Sequence, residues 1–209
     1  MAGEGETLIA ASAALGTRRS DLIRPAVVRA AREENGGEVE EMILQSHLFI
    51  GFPDSLQALA LWREVSGRPP PAHEAAERAA LWEERGARVC AAVYGKNYER
   101  LRANVAELHP DFDRWMVVGG YGRVIGRPGL DLATRELCIA ALLAVWDMPR
   151  QLHSHLRGAL NAGATAAQVD RAVEIACSML DPQRAGEVRA LWSEVRLRTH
   201  AQAVSQPAC

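Results

Sequence analysis

The chain has 209 residues and a mass of 22.7 kDa, which suits one large domain or two small ones. Its 48% hydrophobic and 24% charged residues are close to the globular average and exclude wholesale disorder. A net charge of −2 gives no electrostatic reason to bind nucleic acid or an anionic membrane surface. The longest apolar run, Leu137 to Trp146, is too short to span a bilayer, and the acidic Glu4 and Glu6 do not suit a secretory signal. We therefore expect a cytoplasmic protein with no nucleic-acid or membrane partner.

Helical periodicity dominates the chain and alternating runs of strand type are rare, so we predict an all-α fold. Helix ends are marked in the second half by Asp131 as an N-cap, Gly163 as a left-handed C-cap and a capping box from Thr165 to Gln168. In chain order, the predicted helices cover residues 37–50, 74–105, 132–146, 151–161, 165–180 and 185–198.

An internal repeat becomes visible when the chain is shifted by about 130 positions without gaps, which aligns residues 6–65 with residues 136–195. About a dozen aligned positions are identical, and the Leu-Trp-x-Glu-Val ends of the two copies coincide. Neither copy is large enough to bury a robust core alone. We therefore predict two tandem helical repeats packed on each other as an internal pseudo-dimer.

The module boundaries follow from this repeat and from a short, stiff, proline-rich linker that begins at Gly67. We predict a degenerate first module over residues 1–66, the linker over 67–73, a second module over 74–201 and a frayed tail over 202–209.

The segment from 119 to 163 is dense in side chains that can act on a small molecule. Glu136 lies near the start of an otherwise apolar helix, and His155 lies on the next helix. A histidine beside a carboxylate in a cleft of low dielectric is a natural proton-transfer pair. Two plainer interpretations stay open, namely a glutamate favoured by the helix dipole and a satisfied core histidine. His153 lies about 200° around the helix from His155, so the two diverge as ligands and we predict no metal site.

Three stretches of sequence carry a resemblance to a known family: YGRVIGRPGLDLATREL, QLHSHLRGALNAGAT and a helix like EEMILQSHLFIGFP. They resemble the carboxymuconolactone decarboxylase family of the AhpD-like superfamily, over residues 85–198 well and over residues 6–65 more loosely. The resemblance implies an all-helical AhpD-like fold assembled as a ring-shaped oligomer. For a chain with two modules, it favours a homotrimer, which would parallel the family's hexamers of single modules.

The AhpD branch of this superfamily reduces peroxides with a glutamate, a Cys-x-x-Cys pair and a histidine. The glutamate corresponds to Glu136 and the histidine to His155, whereas Met148 and Gln151 stand in place of the two cysteines. The chain contains no Cys-x-x-Cys pair elsewhere; its scattered cysteines are Cys90, Cys138, Cys177 and Cys209. The decarboxylase branch, which keeps the glutamate and histidine without the cysteines, therefore fits better.

The first copy keeps Glu6 but has Pro25 at the position of His155, so we expect it to have lost its own site. It retains His47 just before a Gly-Phe-Pro turn, where members of the family often carry a histidine. We therefore predict one composite pocket per chain, with Glu136 and His155 from the second module and His47 from the first.

The resemblance implies a cofactor-independent carboxy-lyase that acts on a small carboxylated lactone or related organic acid. His155 would protonate the carbanion left by loss of carbon dioxide, Glu136 would orient it, and Tyr121 would donate a hydrogen bond to the developing oxyanion. The anionic substrate would be held by an arginine, for which the candidates are Arg157, Arg123 and Arg127. Three alternatives stay open: a thiol peroxidase, isomerisation or dehydration by the same pair, and a non-catalytic ligand-binding oligomer.

Overall fold

The structure is a computed structural model that describes residues 5–72 and 79–204, with side chains described as far as Thr199. No strand occurs in these ranges, and the predicted all-α fold is confirmed. Nor does any helix within them combine the length and the hydropathy needed to cross a bilayer. The helices are α1 (Glu6–Thr17), α2 (Ser20–Glu33), α3 (Gly36–Ser66), α4 (Ala79–Tyr94), α5 (Tyr98–Leu108), α6 (Pro110–Arg114), α7 (Leu132–Val145), α8 (Pro149–Asn161), α9 (Ala166–Cys177) and α10 (Pro182–Val204). A 3₁₀ turn (Gly95–Asn97) joins α4 to α5, and a π-helix (Trp115–Ile125) follows α6.

Helix α7 is the centre of the fold. Every residue from Arg135 to Ala144 is buried, because α1, α8 and α9 pack around it. A helix that is covered on all sides must be apolar on all sides, which explains the uninterrupted run Leu137–Trp146. The packing therefore also removes from water the charged residue that precedes this run, Glu136.

The predicted helix ends of the second half are confirmed. The Asp131 carboxylate accepts a hydrogen bond from the backbone N–H of Thr134 at 3.0 Å. The capping box from Thr165 to Gln168 is present, and Gly163 adopts a φ of +104° just after α8. Each of these capping interactions joins residues that are close in sequence, so it forms independently of how the helices pack on each other.

The predicted helices of the first half differ in extent from those observed. Residues 37–50 belong to the longer α3, whose backbone kinks at Gly51, where φ is +81°. Of the predicted helix over 74–105, residues 74–78 lie outside the described residues, and the rest is divided between α4 and α5 by the 3₁₀ turn. The predicted tail over 202–209 begins within α10 and continues outside the described residues.

The helix pattern follows the offset of the sequence repeat. Helices α3 and α9 begin at Gly36 and Ala166, which are 130 positions apart. In one copy the Trp62 indole donates a hydrogen bond to Glu40, and in the other the Trp192 indole donates to Asp170. The pseudo-dimer arrangement and the module boundaries stay predictions.

The π-helix lies against α4 at backbone contact distance. A Cβ atom on Gly122 would lie 1.9 Å from the carbonyl oxygen of Trp82, and one on Gly86 would lie 2.1 Å from that of Val117. Glycine at both positions permits this approach. Since π-helical turns are frequent at functional sites, the surface beside this π-helix is a candidate location for such a site.

Candidate active site

Glu136 lies one turn into α7 and is fully buried, with 0% of its surface exposed. The start of α7 is capped by Asp131, so Glu136 is not a surface acid that merely interacts with the helix dipole. Gly158 of α8 makes room for its side chain, since a Cβ atom there would lie 2.5 Å from Oε2. A carboxylate in such a place is costly unless it is hydrogen-bonded.

His155 provides that hydrogen bond from α8. Its Nδ1 lies 2.8 Å from Oε2 of Glu136, and the residue is 6% exposed. Because a carboxylate only accepts, Nδ1–H donates and Nε2 is left for a bound molecule. The Phe49 ring of α3 meets the imidazole edge-on, with ring centroids 5.7 Å apart. The pair has the geometry of a histidine oriented by a carboxylate, which suits acid–base chemistry.

The other carboxylate oxygen of Glu136, Oε1, is buried and accepts no hydrogen bond from the part of the chain that the structure describes. Buried acceptors are normally satisfied, so an orphaned oxygen is informative. Within the described residues, the side-chain hydrogen bond to this carboxylate therefore comes from the His155 imidazole.

His155 lines a cavity of about 330 Å³ that is bounded by α3, α4, α6, the π-helix and α8. No arginine, lysine or carboxylate is among its described lining residues. The rest of the lining is mainly aromatic and aliphatic: Leu48, Phe49, Tyr94, Phe112, Trp115, Met116, Gly120, Tyr121 and Ile125. Phe112 and Trp115 lie at the open side, each 60% exposed. The volume is near the lower end of small-molecule sites, about 300–1,000 Å³, so the cavity suits a small and largely apolar molecule.

Two tyrosines add hydroxyl groups to this apolar wall. The rings of Tyr94 and Tyr121 meet edge to face with centroids 6.0 Å apart, and both residues line the cavity. Burial raises the pKa of Tyr94 to about 12 and holds the pKa of Tyr121 well above its ordinary value. Both phenols therefore stay protonated near neutral pH, and the pair can donate one O–H to an oxygen atom of a bound molecule.

Comparison with known proteins agrees with the motifs. The profile of the carboxymuconolactone decarboxylase family matches residues 110–194, which contain both members of the buried pair. The chain is also 31% identical over 145 residues to Peroxisomal protein 2 of Schizosaccharomyces pombe (strain 972 / ATCC 24843), an alignment that covers 66% of this chain and 67% of that protein. The chain belongs to the carboxymuconolactone decarboxylase family. The relative is peroxisomal by name, so a cytoplasmic location of this chain stays a prediction.

His47 is not among the described lining residues of the cavity in this member of the carboxymuconolactone decarboxylase family, and a role for it in the chemistry stays a prediction. It does not line the cavity; its Nδ1 lies 2.5 Å from the carbonyl oxygen of Leu44 and its ring packs on Phe52 at 4.9 Å between centroids. The next two residues of α3, Leu48 and Phe49, line the cavity instead. His47 lies about 200° around the helix from Phe49, the residue that meets His155, so the two side chains lie on different faces of α3.

The three arginines expected to hold the substrate are likewise outside the described cavity lining. Arg127 forms an ion pair with Glu41 at 3.1 Å, and Arg123 is exposed, with its guanidinium 5.3 Å from the centre of the Trp82 ring. Arg157 is on α8 but lines a separate cleft. Of the predicted substrate-binding residues, Tyr121 lines the cavity.

The thiols of this family member differ from those of the AhpD branch in position and in reactivity. Cys90, Cys138 and Cys177 are buried and unpaired, and burial raises the pKa of all three, that of Cys90 to about 12. Such thiols supply little thiolate near neutral pH. Cys209 lies outside the described residues. Within the described ranges, no group of three His, Cys, Asp or Glu side chains is arranged to hold a metal ion.

Several site residues had no signal in the sequence. Phe49 and Trp115 are ordinary core candidates by pattern, and Tyr94 lies outside the dense segment 119–163. The Gly158 contact depends on how closely α8 approaches α7, which spacing along one helix does not reveal.

Proposed function

We propose that this member of the carboxymuconolactone decarboxylase family is a small-molecule enzyme that transfers a proton through Glu136 and His155. Its proposed reaction is decarboxylation of a small carboxylated lactone or related organic acid. The observation that carries the proposal is the 2.8 Å hydrogen bond between His155 Nδ1 and Glu136 Oε2, buried at the wall of a cavity of about 330 Å³. Family membership, through the match over residues 110–194, supports the same class of chemistry.

Each group of the pair has a distinct role in this proposal. The Glu136 carboxylate holds the imidazole in one orientation and stabilises its protonated form. The imidazolium presents Nε2–H to the cavity, where it serves as the general acid. A histidine suits this work because an imidazole nitrogen can both donate and accept a proton.

The reaction balances without an added redox partner. The bond between the substrate carbon and its carboxylate breaks, carbon dioxide leaves, and the electron pair moves into an adjacent unsaturated carbonyl group. The carbonyl oxygen becomes negative and accepts a hydrogen bond from the Tyr94–Tyr121 hydroxyl pair. His155 then donates its Nε2 proton to the carbon, and a proton from water restores the imidazolium. The substrate itself is the electron sink, so we propose that no cofactor takes part.

The apolar lining favours loss of carbon dioxide. A carboxylate placed among the rings of Phe49, Phe112 and Trp115 loses part of its hydration, which raises its free energy. Release of a neutral molecule and spreading of the charge over a carbonyl reduce that cost. The aromatic surface at the same time binds the unsaturated body of the substrate.

The test is turnover of a panel of unsaturated carboxylated lactones and β-keto acids in D₂O, followed by carbon dioxide release and mass spectrometry of the product. Decarboxylation through His155 incorporates one deuterium at the carbon that lost the carboxylate. His155→Gln and Glu136→Gln should each lower kcat by about 10²- to 10⁴-fold, the usual contribution of general acid–base catalysis. His47→Gln is the matched imidazole control and should retain turnover; activity in His155→Gln equal to that in His47→Gln would contradict the proposal.

A second candidate is isomerisation or dehydration by the same pair. It is favoured by one observation: no cationic side chain is among the described cavity-lining residues apart from His155 itself, so a substrate without a carboxylate also fits. In the same experiment it appears as deuterium exchange into substrate or product without carbon dioxide release. The thiol peroxidase alternative is disfavoured by the burial of Cys90, Cys138 and Cys177.

We also propose that the chain assembles with copies of itself. Helix α3 exposes apolar side chains on both sides of its kink at Gly51, namely Leu44 and Leu48 before it and Phe52 and Leu56 after it. Contiguous apolar surface of this kind is typical of interfaces between proteins. A trimer remains the favoured assembly, by analogy with the family's rings.

A further inference from the structure

A second cleft lies beside the cavity that holds His155, and Tyr94 is in the lining of both. It has a volume of about 180 Å³ and is bounded by α8 on one side and by the segment from α4 to α5 on the other. His153 and Arg157, one turn apart on α8, both face it. Residues four apart share a helix face, whereas His155 between them points about 200° away, which is why the two pockets are separate.

The charge of this cleft is positive. Two of its lining residues, Arg100 and Arg157, form no ion pair with any described residue, and no aspartate or glutamate is among its described lining residues. The Arg100 guanidinium is held by one hydrogen bond to the side-chain oxygen of Asn97, at 3.3 Å. Guanidinium groups facing a confined space without a carboxylate are set up to bind an external anion.

Neutral donors complete the lining. The Asn97 and Asn104 amides and the Ser154 hydroxyl line the same cleft and can each donate to an oxygen atom. The volume is well below that of drug-sized ligand sites, about 300–1,000 Å³, so the cleft suits a compact ion and not an extended molecule.

We propose that this cleft binds a compact oxyanion, a phosphate or a small carboxylate, between the guanidinium groups of Arg100 and Arg157. The site is distinct from the catalytic cavity and does not depend on the reaction assigned there. Inorganic phosphate and acetate are the two probes that separate a tetrahedral from a planar oxyanion.

His153 is a built-in reporter of this site. Burial lowers its pKa, and the positive charge of Arg157 lowers that pKa further. The other charged groups that face it are Arg100 across the cleft and Glu194 and Arg198 on α10, of which Glu194 raises its pKa and Arg198 lowers it. A bound anion stabilises the imidazolium form, so binding should raise the pKa of His153, and acetate, whose own charge is the same at pH 6 and pH 8, should bind more tightly at pH 6.

The experiment is an NMR titration of the histidine rings of the full-length protein with inorganic phosphate, and separately with acetate, at constant ionic strength. We expect saturable shifts of the His153 resonances with at least one probe, and a higher His153 pKa in the saturated protein. Arg100→Gln and Arg157→Gln should each weaken binding about tenfold, as expected for loss of a charge-assisted hydrogen bond.

Arg123→Gln is the matched control, because it removes an exposed arginine that is outside the described cleft lining. It should bind the probe as the unmodified chain does. A response to both probes that does not saturate would overturn the proposal, as would equal affinity in Arg157→Gln and Arg123→Gln. Circular dichroism of each variant verifies that the fold is retained.

Discussion

Replacement of Gly158 by alanine should separate the catalytic pair while changing stability only modestly. The new Cβ atom would lie 2.5 Å from Glu136 Oε2 and 2.7 Å from Val93 Cγ1, well inside the 3.4 Å at which ordinary contacts begin. To restore that distance, the carboxylate must retreat by about 0.9 Å. Gly158 and His155 lie three positions apart on α8, so a retreat of the carboxylate from the new Cβ atom should also lengthen and weaken the 2.8 Å hydrogen bond to His155.

The free energy of unfolding should fall only slightly, although the hydrogen bond between Glu136 and His155 is weakened. Overpacking of this kind costs about 1–3 kcal/mol, and the better helix propensity of alanine offsets about 1 kcal/mol of that. The net loss of about 0–2 kcal/mol corresponds to a Tm decrease of at most about 8 °C for a chain of this size. Proton NMR measures the pair directly, since the hydrogen-bonded Nδ1–H of His155 should lose its downfield resonance.

Gly186→Ala is the matched control for this change. Gly186 lies exposed within α10, and a Cβ atom there meets nothing within 4 Å, so alanine should stabilise the chain by about 0.5–1 kcal/mol. If Gly158→Ala raised Tm as much as Gly186→Ala does and kept the downfield resonance, the close approach of α8 to Glu136 would not be what positions the pair.

Three further predictions concern other parts of the molecule. Arg135→Met should lower the free energy of unfolding by about 1–3 kcal/mol in urea denaturation, because the buried acceptors on Leu130 and Gln45 lose their donor while Glu41 keeps Arg127; an unchanged free energy of unfolding would count against this role. In the native protein at pH 7, site-resolved alkylation should leave the thiols of Cys90, Cys138 and Cys177 unmodified, whereas all three should react in the unfolded chain. Rapid labelling of the native protein at these positions would refute their burial. Phe52→Glu should shift the chain toward the monomer in light scattering. An unchanged oligomer in the variant would show that Phe52 is not part of the interface.

The parts of the site that sequence reasoning located are those governed by short-range rules. Asp131, Thr165 and Gly163 mark helix ends through bonds to residues within a few positions, so their identities suffice. Glu136 and His155 lie on consecutive helices joined by a short connection, which allows few arrangements other than side-by-side packing. The motif itself then indicates which faces meet.

The predicted site residues that lie outside the described cavity lining are placed there by contacts between distant parts of the chain. Arg127 is neutralised by Glu41, which lies 86 positions earlier, and no local pattern reveals that pairing. The rotation of α3 about its axis determines which of its side chains line the cavity. Leu48 and Phe49 do so, whereas the neighbouring His47 does not. The π-helix depends on its packing against Gly86, so its sequence alone carries no distinguishing mark.

The edge-on contact of Phe49 with His155 limits which truncations and substitutions the chain can tolerate. The amino-terminal part of the chain lacks the histidine of the other half, yet it provides one flank of the only imidazole that faces the described cavity. A shortened protein starting at α4 would retain both acid–base groups but expose that imidazole on the side where α3 now packs. The proposed chemistry of the carboxy-terminal half therefore depends on the packing of α3 from the amino-terminal half, so substitutions in one half constrain those that the other half tolerates.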